Sequence, residues 1–426
     1  MATTILAIGL FIFAAYLFKG IFSKTGVPDV LMLMICGILL GPVLGMVSPS
    51  NFGAAGSALA TMALVIILFE GGVDLDLDSL GSSVAPTLKI ALSTFVITFA
   101  IVALVAWSMA GLAVMPALML GAILAGTSSA VVIPLVQGLN VKGRTRTVLI
   151  LESAVTDVLC IVSLFVLLDA AKKGEISAFH TVLEVGETVV VAAVLGAIAG
   201  VIWLFLLRAA RRLPHGSFAS TAMCFIVYGV TEIGGFSGAI SVLCFGVFLA
   251  NGRRFAAASG VIDPALLAAF SSQEQGFLQE LIFVLKTFFF VYLGISMQIE
   301  NLQPFIVGGL IVLLVYAARH VLAYLATDRD VSRDNASLTA IMVPKGLAAA
   351  VLAALPLEQG VVGGEVIQSL AYVVVLLSIT ATAIMIPLQR VPPLSALYAS
   401  VYAKFPPHAA EATGAAKNPA VGAMPE

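Results

Sequence analysis

The sequence predicts an all-α polytopic membrane protein of about thirteen transmembrane helices, built as two inverted six-helix repeats with a discontinuous helix in each. Three observations carry this. Of 426 residues, 61% are hydrophobic and only 10% charged, whereas soluble globular chains hold about 25% charged residues, and apolar runs of about 20 residues recur along the chain. Two of those runs are interrupted by polar and proline residues at corresponding places. Basic residues gather in alternate loops. A net charge of −2 favours neither nucleic acid nor a polyanion as a partner.

In chain order, the first group of spans is read near 3–22, 28–47, 56–73, 84–110, 114–137, 146–170 and 183–208. The first has no A-x-A site after it and reads as a retained span rather than a signal peptide. The third ends in Leu-Phe-Glu70-Gly-Gly. The fifth is interrupted by Gly126-Thr127-Ser128-Ser129 and then Pro134, and the sixth carries Glu152 and Asp157. A second group follows near 218–233, 237–251, 276–298, 303–326, 334–356 and 363–388, the twelfth span being interrupted at Met342-Val343-Pro344-Lys345-Gly346. Residues 253–275 read as an amphipathic or irregular connector. Residues 1–390 thus form the transmembrane domain. Within it a core bundle is expected from the spans near 56–73, 114–170, 276–298 and, in part, 303–388, with the rest as scaffold. Residues 391–426, rich in Pro and Ala and without periodicity, read as a disordered cytoplasmic tail. Cys36, Cys160, Cys224 and Cys244 all lie inside apolar runs and no CxxC occurs, so they are expected to be inert core thiols.

Orientation follows from the basic loops. Alternate loops carry Lys19 and Lys24; Lys89; Lys142, Arg144 and Arg146; Arg208, Arg211 and Arg212; Arg253 and Arg254; Arg329 and Arg333; and Arg390, Lys404 and Lys417. The opposite side has Lys172 and Lys173. This places the C-terminus in the cytoplasm and, with an odd number of spans, the N-terminus outside. The two interruptions are separated by an offset of roughly 217 residues, which also takes the first span to the eighth, the third to the tenth, the fourth to the eleventh and the sixth to the thirteenth. The seventh span is the linker, and one odd intervening span inverts the second copy. Inverted repeats with a broken helix in each half are the mark of a secondary transporter.

Polar residues inside spans cost free energy in lipid and persist where they bind something polar. Asp157 stands mid-span, five positions after Glu152, about 140° away around a helix, so the two acids serve separate purposes. Thr156 adjoins Asp157, and Ser153, four positions before it, lies on its face. One carboxylate in a dry site can hold a proton or a monovalent cation but not both comfortably, and that competition is the minimum an exchanger requires. The blander reading is a protonated Asp bonded to helix backbone. The Thr127-Ser128-Ser129 break offers hydroxyls, freed carbonyls and two half-helix ends, hard ligands suited to Na⁺ or K⁺; a kink from Pro134 and Gly126 is the alternative. Lys286, Arg319 and Lys345 lie inside spans and need partners or must snorkel, with Glu70, Glu152, Glu232 and Asp157 as candidate acids. Lys345, at the second break, can offset half-helix carbonyls, and Glu70 is its candidate partner by location. Asp74, Asp76 and Asp78 offer a cation-attracting mouth or, more simply, a solvated acidic loop.

The runs FEGGVDLD, TSSAVV, ESAVTD, AARHVLAYLA and PKGLAAAVLA, in this order over roughly residues 5–390, resemble the monovalent cation:proton antiporter superfamily, and most closely its NhaP-type sodium/proton exchangers. Their core motif has the form Glu-Ser-x-x-Asn-Asp, here Glu152-Ser153-Ala154-Val155-Thr156-Asp157. The resemblance implies that Asp157 binds the cation and the proton, and that Ser153 and Glu152 complete the site. It also implies that Glu152 pairs with Arg319, that the Thr127 carbonyl binds the cation, and that Lys345 stands where an Arg is more usual. It further implies a homodimer in membrane lipid at the cell inner membrane.

Two departures shape the expectation. Ser128 stands where sodium exchangers often have Asp, which resembles Kef-type potassium/proton antiporters and leaves Na⁺ against K⁺ open. Thr156 replaces the Asn of electroneutral and the first Asp of electrogenic exchangers, so one carboxylate remains and one cation is expected per proton. No G-x-G-x-x-G stretch follows, so the nucleotide-binding domain of Kef-type proteins is not expected within the chain. The reading is a secondary antiporter, not an enzyme, with no cofactor beyond the transported Na⁺ or K⁺ and H⁺. A cation channel would need a continuous pore, and saturable proton-coupled flux separates the two. An intramembrane hydrolase would need a Ser–Lys pair, paired Asp or an H-E-x-x-H helix. None is evident, and His180, His215, His320 and His408 are scattered.

Overall fold

A computed structural model describes residues 2–74, 84–139, 141, 143–173, 178–212, 218–259, 272–329 and 331–407. Every regular element among the described residues is helical: α1 (Ala2–Thr25), α2 (Asp29–Ile38), α3 (Gly53–Asp74), α4 (Val84–Met109), α5 (Val114–Leu124), α6 (Ser129–Gly138), α7 (Gly143–Lys173) and α8 (Ala178–Ala210). There follow α9 (Ala219–Ile233), α10 (Gly238–Ser259), α11 (Ser272–Ile295), α12 (Gln303–Ala326), α13 (Arg333–Ile341), α14 (Leu347–Leu352), α15 (Leu355–Glu358), α16 (Gly364–Leu388) and α17 (Pro392–Val401). Each of the thirteen expected spans meets a helix, and the fifth and twelfth are the two that are broken, as α5/α6 and α13/α14. Seven stretches among the described residues are long and apolar enough to cross a bilayer by themselves. The second span closes in a single π-helical stretch, Leu39–Val43; Pro42 has no N–H to give to the helical ladder, and the backbone widens there.

The packing has the pairing that a two-fold repeat demands. Helix α2 packs on α11, and their counterparts, α10 and α3, pack on each other. Both crossings are glycine-on-glycine. A Cβ on Gly37 would stand 2.9 Å from the Gly294 Cα, and one on Gly246 would stand 3.1 Å from the Gly72 Cα. Backbones come this close only where no side chain intervenes, which is how helices associate when lipid supplies no hydrophobic drive between them. These helices, with α1, α8 and α9, form one group. The other group is α4, the two broken spans, α7, α12 and α16: α4 packs on α5, α7 and α12, and α12 on α13 and α16.

This division corrects the expected one. The spans at 56–73 and 276–298, expected in the core bundle, are α3 and α11, whose main packing is with α10 and α2 in the scaffold group. The span at 84–110, expected in the scaffold, is α4 of the core group. The tail also differs from expectation at its start. Residues 392–401 form α17, and beyond it Tyr402 and Phe405 are buried against Tyr324 of α12. The aromatic residues of this segment, not its Pro and Ala content, decide its fate. Residues 408–426 lie outside the described residues.

Candidate ion site

The two breaks meet each other. Helix α5 ends at Leu124, and Gly126, Thr127 and Ser128 run as irregular backbone before α6 starts at Ser129, with Ser128 in an extended N-cap conformation. On the second break, Pro344 disfavours helix at Val343, and the chain resumes helix at Leu347. The Ser128 N–H donates to the Pro344 carbonyl (2.8 Å), and Lys345 donates through Nζ to the Gly126 carbonyl (2.7 Å). The Lys345 backbone N–H is taken by Ser378 Oγ of α16 at 2.9 Å. These four backbone groups, released by the interruptions, are thus satisfied by protein, the condition for irregular backbone at membrane depth. The approach also explains Gly346, since a Cβ there would overlap the Ser128 side chain. The Lys345 ammonium lies at the C-terminal end of α5, where the helix presents partial negative charge.

Helix α7 lines the first break with one face. Thr156 and Cys160, four residues apart, stack along that face. Thr156 Oγ1 accepts from the Thr127 N–H (3.1 Å), and its one proton goes to the Ser153 carbonyl (3.2 Å). In the 3.4 Å contact between the Thr127 and Thr156 hydroxyls, Thr127 is therefore the donor. All four cysteines are free thiols, but Cys160 is more than inert filling, since its Sγ accepts from the Gly126 N–H at 3.0 Å and so supports the break. Asp157, one residue on from Thr156, is half-buried and its Oδ2 accepts from Ser129 Oγ at 2.9 Å. Thr127, Ser128, Thr156 and Lys345 are all buried around it.

Glu152 points elsewhere, as its angular separation from Asp157 requires. Its two carboxylate oxygens accept from Arg319 Nη1 (2.5 Å) and Nη2 (2.7 Å), and both side chains are 1% exposed. Arg319 also donates to Thr94 Oγ1 of α4 and, through Nε, to the Thr339 carbonyl of α13 (3.1 Å). One guanidinium therefore ties α4, α7, α12 and α13 together. It is a buried, fully bonded pair and does not snorkel.

Of the residues named from sequence, Asp157, Thr156, Ser153, Glu152, Thr127, Ser128, Arg319 and Lys345 come together around the crossed breaks. Ser153 is buried, but its hydroxyl proton goes to the Ile150 carbonyl (2.8 Å) rather than toward Asp157. Lys286 stands apart from the site, and Glu70 is not the partner of Lys345. The Lys345 ammonium is bonded to the Gly126 carbonyl rather than to Glu70, which is half-buried on α3. Lys286 on α11 reaches Asp29 at the start of α2, 3.3 Å away, and none of the four candidate acids. A charge at a span terminus can serve a cation from another helix, and candidates drawn only from span interiors omit it. Ser129 was named as part of the break, though not as the partner of Asp157; Thr94, Cys160 and Ser378 were missed as site residues. Those three are polar residues in apolar helices with no local pattern. Asp76 and Asp78 lie outside the described residues. His320 bonds the Tyr316 carbonyl (2.8 Å) and Tyr398 Oη (3.2 Å), neither of them in the site.

A family model described as "Sodium/hydrogen exchanger, transmembrane" matches residues 9–389. The chain is 30% identical over 258 residues to the K(+)/H(+) antiporter NhaP of Alkalimonas amylolytica, covering 59% of this chain and 44% of that protein. It is 25% identical over 375 residues to the K(+)/H(+) antiporter NhaP2 of Shewanella oneidensis, covering 84% of this chain and 61% of that protein. The chain thus spans about half the length of these relatives. The fold is similar to that of the sodium proton antiporter MjNhaP1 from Methanocaldococcus jannaschii at pH 8, with a TM-score of 0.70 at 21% identity over 90% of this chain and 99% of that one.

Proposed function

The chain belongs to the sodium/hydrogen exchanger family, a multi-pass integral membrane family, and from that membership and the site geometry we propose that it is a secondary antiporter, exchanging one monovalent cation for one proton by alternating access. The observation that carries the reading is Asp157 held by Ser129 beside two crossed half-helix breaks. Oxygen ligands from a carboxylate and hydroxyls suit a hard monovalent cation, Na⁺ or K⁺, and the relatives' names include both ions. The contacts support a one-for-one charge balance. Glu152 and Arg319 neutralise each other, and Lys345 is committed to the Gly126 carbonyl, which leaves Asp157 as the carboxylate taken to change state. A proton or a cation there adds the same single positive charge, and a one-for-one exchange moves no net charge.

In this account the core group, with both broken spans, moves against the scaffold group. The Arg319 clamp keeps α4, α7, α12 and α13 moving as one body. The cell membrane is the assigned location, with the N-terminus outside and the C-terminus in the cytoplasm, as the basic loops indicate. Val190, Val194, Ile198 and Ile202 form an exposed apolar stripe on α8, which suits lipid or a second copy in a homodimer. The test is proton flux in proteoliposomes with an imposed pH gradient, adding Na⁺, K⁺ and Li⁺ in turn, with and without a voltage clamp set by an ionophore. Saturable cation-dependent flux that ignores the imposed voltage is expected. Flux that follows the voltage without saturating contradicts antiport and indicates a channel.

A further inference from the structure

A cavity of about 630 Å³ lies outside the ion site. Its walls are the end of α6, the first turns of α13, the last turn of α16 and one face of α17. Those elements include the second half of one broken span and the first half of the other. The side is the one that the basic loops assign to the cytoplasm. Two guanidiniums line it, Arg333 from α13 and Arg390 just past α16, together with one carboxylate, Asp334. Among the described residues neither Arg has an ion-pair partner. The local balance is one net positive charge, with the N-terminal end of α13 adding to it. Such a cavity repels Na⁺ and K⁺, so it is a poor candidate for the cation's route to Asp157.

Two of its side chains carry unanswered polar atoms. Arg333 Nε and Gln389 Oε1 are buried and have no hydrogen-bond partner, and both residues line the cavity. Buried donors and acceptors are normally bonded, and an unpartnered one is costly. The first lacks an acceptor and the second lacks a donor. Ser395 and Tyr398 of α17 add hydroxyls to the wall, while Leu338 and Ile386 make it apolar elsewhere. From these we infer a binding site for a phosphate ester that also bears a hydroxyl: the phosphate answers Arg333 and Arg390, and the hydroxyl donates to Gln389. A bound ester bridges α6, α13, α16 and α17, and so joins both broken spans to the C-terminal helix. The chemistry fits a hydroxylated anionic lipid headgroup or a free phosphate ester. Leu397 and Val401 on α17 are exposed apolar residues, which suits a helix lying at the lipid surface.

The experiment measures binding to the purified full-length chain, with sn-glycerol 3-phosphate as the soluble probe and phosphatidylglycerol as the lipid probe. Phosphatidylcholine is the lipid control, and Arg333→Gln and Arg390→Gln are the variants. Saturable binding of either probe, weakened about tenfold or more by each substitution, is expected for charge-assisted hydrogen bonds. Binding of glycerol 3-phosphate assigns a soluble ester, and binding of phosphatidylglycerol alone assigns the lipid. Arg390 is exposed, so Arg390→Gln decides the matter should Arg333→Gln fail to fold. No saturable binding of either probe, or binding unchanged in Arg390→Gln, overturns the inference.

Discussion

Replacing Arg319 by Met removes, at once, the bonds to both Glu152 oxygens, to Thr94 and to the Thr339 carbonyl. The Glu152 carboxylate, 1% exposed, is left charged with no partner, a loss of about 3–5 kcal/mol for a broken buried pair. The orphaned Thr339 carbonyl adds about 1 kcal/mol. Glu152→Leu leaves the guanidinium with only its two lesser acceptors and is expected to cost about 3–5 kcal/mol as well. The double variant Arg319→Met/Glu152→Leu buries no charge, retains only the orphaned Thr339 and Thr94 groups, and is expected to lose about 1–3 kcal/mol. With an unfolding entropy of about 2.1 cal/mol/K per residue, Arg319→Met should melt about 4–7 °C below wild type, Glu152→Leu about 3–6 °C below and the double about 1–3 °C below. The assay is thermal unfolding of all four proteins in one detergent, as a double-mutant cycle. If either single variant melts within 1 °C of wild type, or the two losses simply add in the double, the pair is not the clamp described above.

Other substitutions separate packing from transport. Gly37→Ala and Gly246→Ala place a methyl on backbone of the crossing helix and should destabilise by about 1–3 kcal/mol. Gly229→Ala, with nothing within 4 Å, should be neutral or stabilising, so equal melting temperatures for the three would contradict the glycine crossings. Lys345→Met removes the charge from the Gly126 carbonyl and should reduce cation-dependent proton flux at least tenfold, with Lys345→Arg retaining more of it; unchanged flux in Lys345→Met would rule out its placement at the working site. Ser129→Ala deletes one hydrogen bond to Asp157 and should raise the cation KM about two- to tenfold, by the usual net worth of such a bond. Ser129→Thr, which keeps the hydroxyl, should restore it, and a KM that ignores both changes would remove Ser129 from the site.

What the sequence disclosed and what it withheld divide along physical lines. The breaks at Thr127 and Lys345 were legible because Gly, Pro and hydroxyl residues punctuate an otherwise apolar run, and such punctuation is rare in lipid. Glu152 and Asp157 were assigned different directions from their spacing on one helix, and they take different partners, Arg319 and Ser129. The crossing of the two breaks was not legible: the bonds from Ser128 to Pro344 and from Lys345 to Gly126 link residues more than half the chain apart, and no local pattern encodes them. Lys286 was offered interior acids and found Asp29 at a helix start, because partner choice depends on which helix ends lie side by side. The exchange of α3 and α11 for α4 in the core has the same origin. Hydropathy shows that a helix spans, while the glycine crossings at Gly37 and Gly246 decide what it spans beside. At the C-terminus, composition suggested a tail, but Tyr402 and Phe405 find an aromatic pocket at Tyr324 that composition does not reveal.

The central claim is that one carboxylate, Asp157, alternately holds the proton and the cation. The measurement that tests it most directly is cation-dependent dissipation of a pH gradient in proteoliposomes, comparing wild type with Asp157→Asn at equal reconstitution. The amide keeps the shape and the Ser129 contact but carries no titratable charge. Saturable flux in the wild type and none in Asp157→Asn is the expected result; equal cation-dependent flux in the two would contradict the account.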